Sequence, residues 1–197
     1  MMKGEPRVTP LPESDWTPET REFLERLRTG GRVYNIFATL ARHPKLLERW
    51  MVFARHILRQ STLPARQREI VILRTGFLCK AEYEWGHHVQ IAKDAGLTAD
   101  DIDRIAGGPN AAGWDPFEAA LVKSVDELHE SSSMSDETWN VLSGHLSTEQ
   151  LMDLVFTVGE YQLVSMALNT LGVQLEPGFD GFTKREPGNS TFLTSPS

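Results

Sequence analysis

An all-α helical bundle is the fold class this sequence predicts, and three patterns point to it. Proline or a Ser, Thr or Asp cap stands ahead of successive segments with helical apolar spacing, and glycine closes several of them. The one β-branched run, Ile70 to Leu73, has no second strand candidate to pair with, and an isolated strand would leave its backbone groups unsatisfied. With 197 residues and 40% apolar content, the chain is long enough to close one domain around a core.

The elements follow in order. Residues 1–16 hold Pro6, Pro10 and Pro12 without apolar periodicity and read as an extended N-terminal arm. Thr17 with Pro18 marks a cap and first helical position, ahead of a stripe of Phe23, Leu24 and Leu27. His43 and Pro44 open a second helix whose broad apolar face runs from Leu46 to Leu58, and Pro64 opens a third. A fourth is expected over about 81–95, stopped by Gly96 in a left-handed conformation, and Thr98 caps a short acidic helix closed by Gly107 and Gly108. Asp115-Pro116-Phe117-Glu118 reads as a capping box, Ser135 as a cap, and Ser147 to Gln150 as a second capping box before a helix reaching Leu171. The count is about eight helices over 17–175, followed by a Gly, Pro and Ser-rich tail over 176–197.

A net charge of −7 argues against a nucleic-acid partner, because phosphate neutralisation needs a basic face. No apolar run reaches the roughly 18 to 20 residues that span a bilayer, and the first residues lack the apolar core of a signal peptide. The expectation is a cytoplasmic protein with no membrane partner. Cys79, the single cysteine, cannot form an intramolecular disulfide.

Chemistry is concentrated between Glu69 and Gly96. Glu84 and His88 are four residues apart and share a helix face about one turn apart. Glu69 lies inside the apolar run QREIVIL, where a buried carboxyl group must find a donor or hold a proton. A histidine with an ordinary pKa of about 6.5 beside carboxyl groups raised by burial suits proton transfer. His88 is therefore read as general acid or base, Glu84 as its proton-sharing partner, and Glu69 as the relay behind them. Glu84, His87 and His88 include metal-ligand types, but adjacent histidines diverge by about 100 degrees on a helix and no His-Glu-x-x-His pattern occurs, so no metal is expected.

Several motifs together resemble the carboxymuconolactone decarboxylase and AhpD-like family over about 140 residues. They are Tyr34-Asn35, Arg42-His43-Pro44, Leu63-Pro64, Arg68 through Arg74, Tyr83-Glu84-Trp85 with His87-His88, Gly96-Leu97-Thr98, and Gly159-Glu160-Tyr161 with Asn169. The resemblance implies an AhpD-like helical bundle and a homo-oligomer. In the peroxidase branch of that family a glutamate precedes a Cys-x-x-Cys pair followed by a histidine; laid on this chain, Glu69 and His88 keep their places while Ala81 and Glu84 replace the cysteines. Without a second thiol, Cys79 cannot run a disulfide cycle.

What remains is similar to the Tyr-Glu-Trp branch, which implies a cofactor-independent lyase, a decarboxylase, or an isomerase acting on a small organic acid, lactone or carbonyl compound. Tyr83, His87, Tyr34, Asn35 and Tyr161 are then candidates to orient a substrate oxygen. Alternative readings are a non-catalytic oligomeric AhpD-like protein and a peroxidase-related antioxidant protein.

Overall fold

The computed structural model describes residues 4–182. Nine α-helices are present among them, with no β-strand: α1 (Pro18–Glu25), α2 (Asn35–Leu40), α3 (Pro44–Arg55), α4 (Ala65–Leu78), α5 (Glu82–Asp94), α6 (Ala99–Gly107), α7 (Pro116–Ser131), α8 (Asp136–Ser143) and α9 (Thr148–Leu171). A π-type turn, His56–Gln60, prolongs α3.

Most local signals act as expected. Thr17 accepts from the Thr20 N–H, while Thr98 with Asp101 and Ser147 with Gln150 form reciprocal capping boxes. Two starts differ. Asp115 accepts from the N–H groups of Phe117 and Glu118, but the box is not closed, because the Glu118 carboxylate is taken by Arg66 at 2.7 Å. His43 makes no side-chain cap bond, which leaves the start of α3 to Pro44.

The β-branched run lies in α4, at the centre of the bundle. Residues 69–76 are all buried, so this helix is covered on every side by α5, α6, α7 and α9 and needs no polar face. Its two charged members are tied internally. Arg74 pairs bidentately with Asp126 at 2.6 and 2.8 Å and donates to the terminal carbonyls of α6, those of Ile105 and Ala106. Glu69 is held by the site described below.

Helix α9 qualifies the expectation that no apolar run is long enough to cross a bilayer. At 24 residues it has the length and composition to do so, and about half of its most apolar stretch is buried against the bundle. Its acidic interruptions are engaged: Asp153 accepts from the Thr62 N–H and hydroxyl, and Glu160 from Trp50.

The described parts of both terminal segments lie on the bundle. In the arm, the N–H groups of Arg7 and Val8 donate to the Leu171 carbonyl and that of Leu11 to Ala38. The chain after α9 returns over α5 so closely that a Cβ on Gly86 would stand 2.9 Å from the Asp180 carbonyl oxygen and from a Leu175 methyl carbon. The expected tail begins at Glu176; that residue is buried, and the part of the tail beyond Phe182 falls outside the described residues.

Candidate active site

His88 is clamped at both ring nitrogens. From α5 its Nδ1–H donates to Glu69 Oε2 on α4 at 2.7 Å, and its Nε2 lies 2.9 Å from the Tyr161 hydroxyl on α9. Glu84, one turn earlier on α5, brings Oε2 to 3.5 Å from Nε2. The second oxygen of Glu69 accepts from Arg68 Nε at 3.2 Å. Three helices thus converge on one imidazole, and Glu69, Glu84, His88 and Tyr161 are all at most 6% exposed. The face shared by Glu84 and His88 continues inward through Ala92 rather than Ile91, which is 39% exposed.

Burial sets the protonation of this cluster, and specific partners modify it. For His88, desolvation opposes the imidazolium, but the charge and hydrogen bond of Glu69 outweigh it and raise the pKa. Glu84 is raised by burial, against the attraction of His88 and His87. Burial and the neighbouring carboxylates push the Tyr161 phenol well above its ordinary range, so it stays an O–H donor. An imidazole held toward its cationic form therefore faces a carboxyl group held toward its neutral form.

The structure divides the sequence-selected residues into two groups. Glu69, Glu84, His88 and Tyr161 form the cluster above. Tyr34, Asn35, Tyr83 and His87 gather instead around Glu176, which accepts from the Asn35 N–H at 2.5 Å, the Tyr83 hydroxyl at 2.8 Å and His87 Nε2 at 2.6 Å. The His87 ring stacks on Phe179 at 3.9 Å and packs against Tyr83 and Tyr34 at 4.6 Å each. Burial opposes the Glu176 charge, but the hydrogen bonds from His87, Asn35 and Tyr83 hold its pKa below the usual value. None of these four makes a hydrogen bond to His88; they fasten the returning chain to α2 and α5.

A third feature adjoins the first. Between α3 and α9 runs a groove of about 630 Å³, walled by residues such as Leu40, Phe53, Leu163 and Val164, with Trp50 and Glu160 among its lining. Trp50 Nε1 donates to Glu160 Oε1 at 2.6 Å. Sequence reasoning singled out Glu69 as a charge inside an apolar run, and the same criterion finds Glu160 in VFTVGEYQLV. Arg68 was missed as a partner for Glu69, although it is adjacent in sequence. No group of three or more His, Cys, Asp or Glu is placed to hold a metal among the described residues. Cys79 closes α4 away from the cluster, half-buried, with its thiol pKa raised by burial.

Residues 44–127 match the carboxymuconolactone decarboxylase family. The same bundle recurs in the AhpD-core, peroxidase-related protein of Ralstonia eutropha JMP134, at a TM-score of 0.75 over 86% of this chain and 93% of that one, with 20% identity. The chain is thus similar to the carboxymuconolactone decarboxylase family over residues 44–127 and shares the AhpD-like fold. A peroxidase-related protein of Silicibacter sp. TM1040 is also similar, with a TM-score of 0.77, 16% identity and coverage of 91% and 96%. So is a cysteine-to-alanine variant of the debrominase Bmp8 in complex with 2,3,4-tribromopyrrole, with a TM-score of 0.71, 16% identity and coverage of 86% and 91%. No curated protein matches the sequence.

Within this carboxymuconolactone decarboxylase-like bundle, the matched span contains Glu69, Glu84 and His88 but neither Tyr161 nor Glu160. Ala81 and Glu84 are both buried, Ala81 as the N-cap of α5 and Glu84 against His88.

Proposed function

We propose that this carboxymuconolactone decarboxylase-like protein is a cofactor-independent acid–base enzyme of the lyase or isomerase type, acting in the cytoplasm on a small organic acid, lactone or carbonyl compound. The observation that carries the reading is the buried His88, with Glu69 on Nδ1 and both Tyr161 and Glu84 at Nε2. Glu69 fixes the ring and supports its positive form, as a carboxylate does for any imidazole that must gain and lose a proton. When His88 is cationic, Nε2–H donates and the Tyr161 hydroxyl is released to donate to a substrate oxygen.

For a decarboxylation, the bond to the carboxylate carbon breaks, its electron pair enters the adjacent carbonyl as an enolate, and carbon dioxide leaves. The Tyr161 O–H would stabilise the enolate oxygen, and a proton from His88 or Glu84 would complete the new C–H bond. An isomerisation uses the same groups, with abstraction first and return at a different carbon. The complex of the similar debrominase with a small halogenated pyrrole supports a small-molecule substrate.

NMR-detected deuterium exchange and carbon dioxide release over a panel of β-keto acids, lactone acids and enolisable ketones test the reading. Glu84→Gln, His88→Ala and Tyr161→Phe should remove turnover in proteins that stay folded. A panel without exchange or release, at substrate concentrations up to saturation, would sink it.

A second reading, an oligomer without catalysis, draws on the outer face of α9. Met152, Phe156, Leu163 and Met166 are each at least half exposed, and apolar residues in such a row are a surface for another copy of the chain. Self-association through this face is compatible with catalysis too. Light scattering reads the mass, and under the non-catalytic reading the His88 and Glu84 variants change stability alone.

A further inference from the structure

The groove between α3 and α9 contains an incomplete polar site. Glu160 is 4% exposed and lines the groove, and Trp50 satisfies only its Oε1. Its Oε2 is buried with no hydrogen-bond partner. Buried polar atoms are nearly always paired, so this one calls for an acceptor or donor that the described chain does not supply. Burial, opposed by the Trp50 hydrogen bond and reinforced by the Glu84 charge, raises the carboxyl pKa to about 7. Near and below neutrality the unpartnered oxygen carries a proton and needs an acceptor.

Two further features suit an occupant. Gly159 lies inside the 24-residue α9, where a glycine weakens the helix, yet a Cβ there would meet nothing within 4 Å; its missing side chain leaves the groove open. Arg49 also lines the groove and has no ion-pair partner among the described residues. The volume is within the range of small-molecule sites, and its walls are largely apolar.

We propose that the α3–α9 groove binds a small organic acid with an aromatic or branched apolar body, whose carboxylate oxygen accepts a hydrogen bond from Glu160 and whose charge is balanced by Arg49. The apolar body lies against Trp50, Phe53 and Leu163, over the space that Gly159 leaves free. Glu160 precedes Tyr161, the partner of His88 Nε2, on α9. The catalytic meaning of the site rests on the acid–base reading; its occupancy does not, and is read by binding alone.

The test is isothermal titration calorimetry of the full chain with 2-naphthoate, and with naphthalene as the probe lacking the head group. The expected result is 1:1 binding of 2-naphthoate at pH 6, at least tenfold tighter than naphthalene. Glu160→Leu should weaken it tenfold or more, and Gly159→Leu, which fills the groove without touching the carboxyl group, should abolish it. The groups that act on Glu160 are Trp50 from α3 and Glu84 from α5, and Arg49 lines the same groove. Affinity should therefore fall between pH 6 and 8.5 as Glu160 ionises, and Glu160→Gln, which keeps a donor without a charge, should flatten that profile.

Equal affinity in wild type, Glu160→Leu and Gly159→Leu overturns the proposal. So does binding that appears only after Met152→Asp and Met166→Asp break an assembly, because the groove then belongs to a second copy. Binding without exchange or release across the whole panel leaves the site standing and removes the acid–base reading instead.

Discussion

Replacing Glu69 by Gln tests the core of the site without reference to any substrate. Glu69 is fully buried, and its Oε2 is the only charged partner in hydrogen-bond contact with His88 Nδ1, at 2.7 Å. Removing one member of a buried charged pair costs about 3 to 5 kcal/mol. The His88 pKa is raised in the folded state, so the stability it contributes is fully present below its unfolded value of about 6.5 and is lost as pH rises through the folded value. The variant should therefore lose about 3 to 5 kcal/mol near pH 6, and only about 1 kcal/mol, one neutral hydrogen bond, once His88 is neutral in both proteins. For a domain of this size that is a melting temperature lower by roughly 10 °C at pH 6. Urea unfolding at several pH values, with the slope held constant, reads the difference, and imidazole NMR should show the His88 pKa dropping. A penalty that is the same at pH 6 and pH 9, or a His88 pKa that does not move, would refute the charged-pair argument.

Gly159→Ala should stabilise the protein by about 0.5 to 1 kcal/mol in a thermal melt, because the new methyl meets open space and the helix interior gains a better former. Glu176→Gln should remove an acid-sensitive contribution: the Glu176 pKa is depressed, so its stabilisation is present above the ordinary carboxylate range and lost as pH falls through the folded value. Wild type should therefore lose stability relative to the variant on acidification, read by urea midpoints between pH 6 and pH 3, and a constant offset would refute it. Arg74→Lys should cost about 2 kcal/mol, since Lys cannot reproduce the bidentate pairing with Asp126 while serving two carbonyls of α6, and amide exchange in α6 should rise.

What could be read from the sequence was what is decided locally. The caps at Thr17, Thr98, Ser135 and Ser147 act on N–H groups three residues away, and each is where the pattern puts it. The missed helix, α2, has no local cap and only six residues, too few to stand alone. Its first N–H is satisfied by Glu176, 141 residues downstream, a partner no local rule can find. The same distance effect separated the histidines. Their divergence on α5 was legible; that His87 would meet Glu176 and Phe179, while His88 met Glu69 and Tyr161, depended on how the chain returns after α9. The Glu118 half of the expected capping box failed for a related reason, a distant guanidinium competing for a carboxylate that local spacing assigned to the backbone.

Glu84, where the resemblance to the peroxidase branch would put a cysteine, sets what the interior must balance. Thiols can be buried neutral, whereas Glu84 adds a carboxyl group to a region that already holds Glu69 and Glu160. Against these three acids stand one imidazole, His88, and one guanidinium, Arg68, in contact with Glu69. Three negative charges with two positive ones cannot all persist at low dielectric, so at least one carboxyl group must hold a proton. Glu84 and Glu160 are accordingly pushed upward, Glu160 to about 7. Glu160 lines the groove and feels the charge of Glu84, which in turn lies 3.5 Å from His88. Replacing Glu84 by Gln should keep the buried volume but remove this acid, and the Glu160 pKa should then fall below about 7 in a carbon-13 NMR titration, while burial still holds it above the ordinary carboxylate range; an unchanged value would mean that burial alone sets it and that the two carboxyl groups are not coupled.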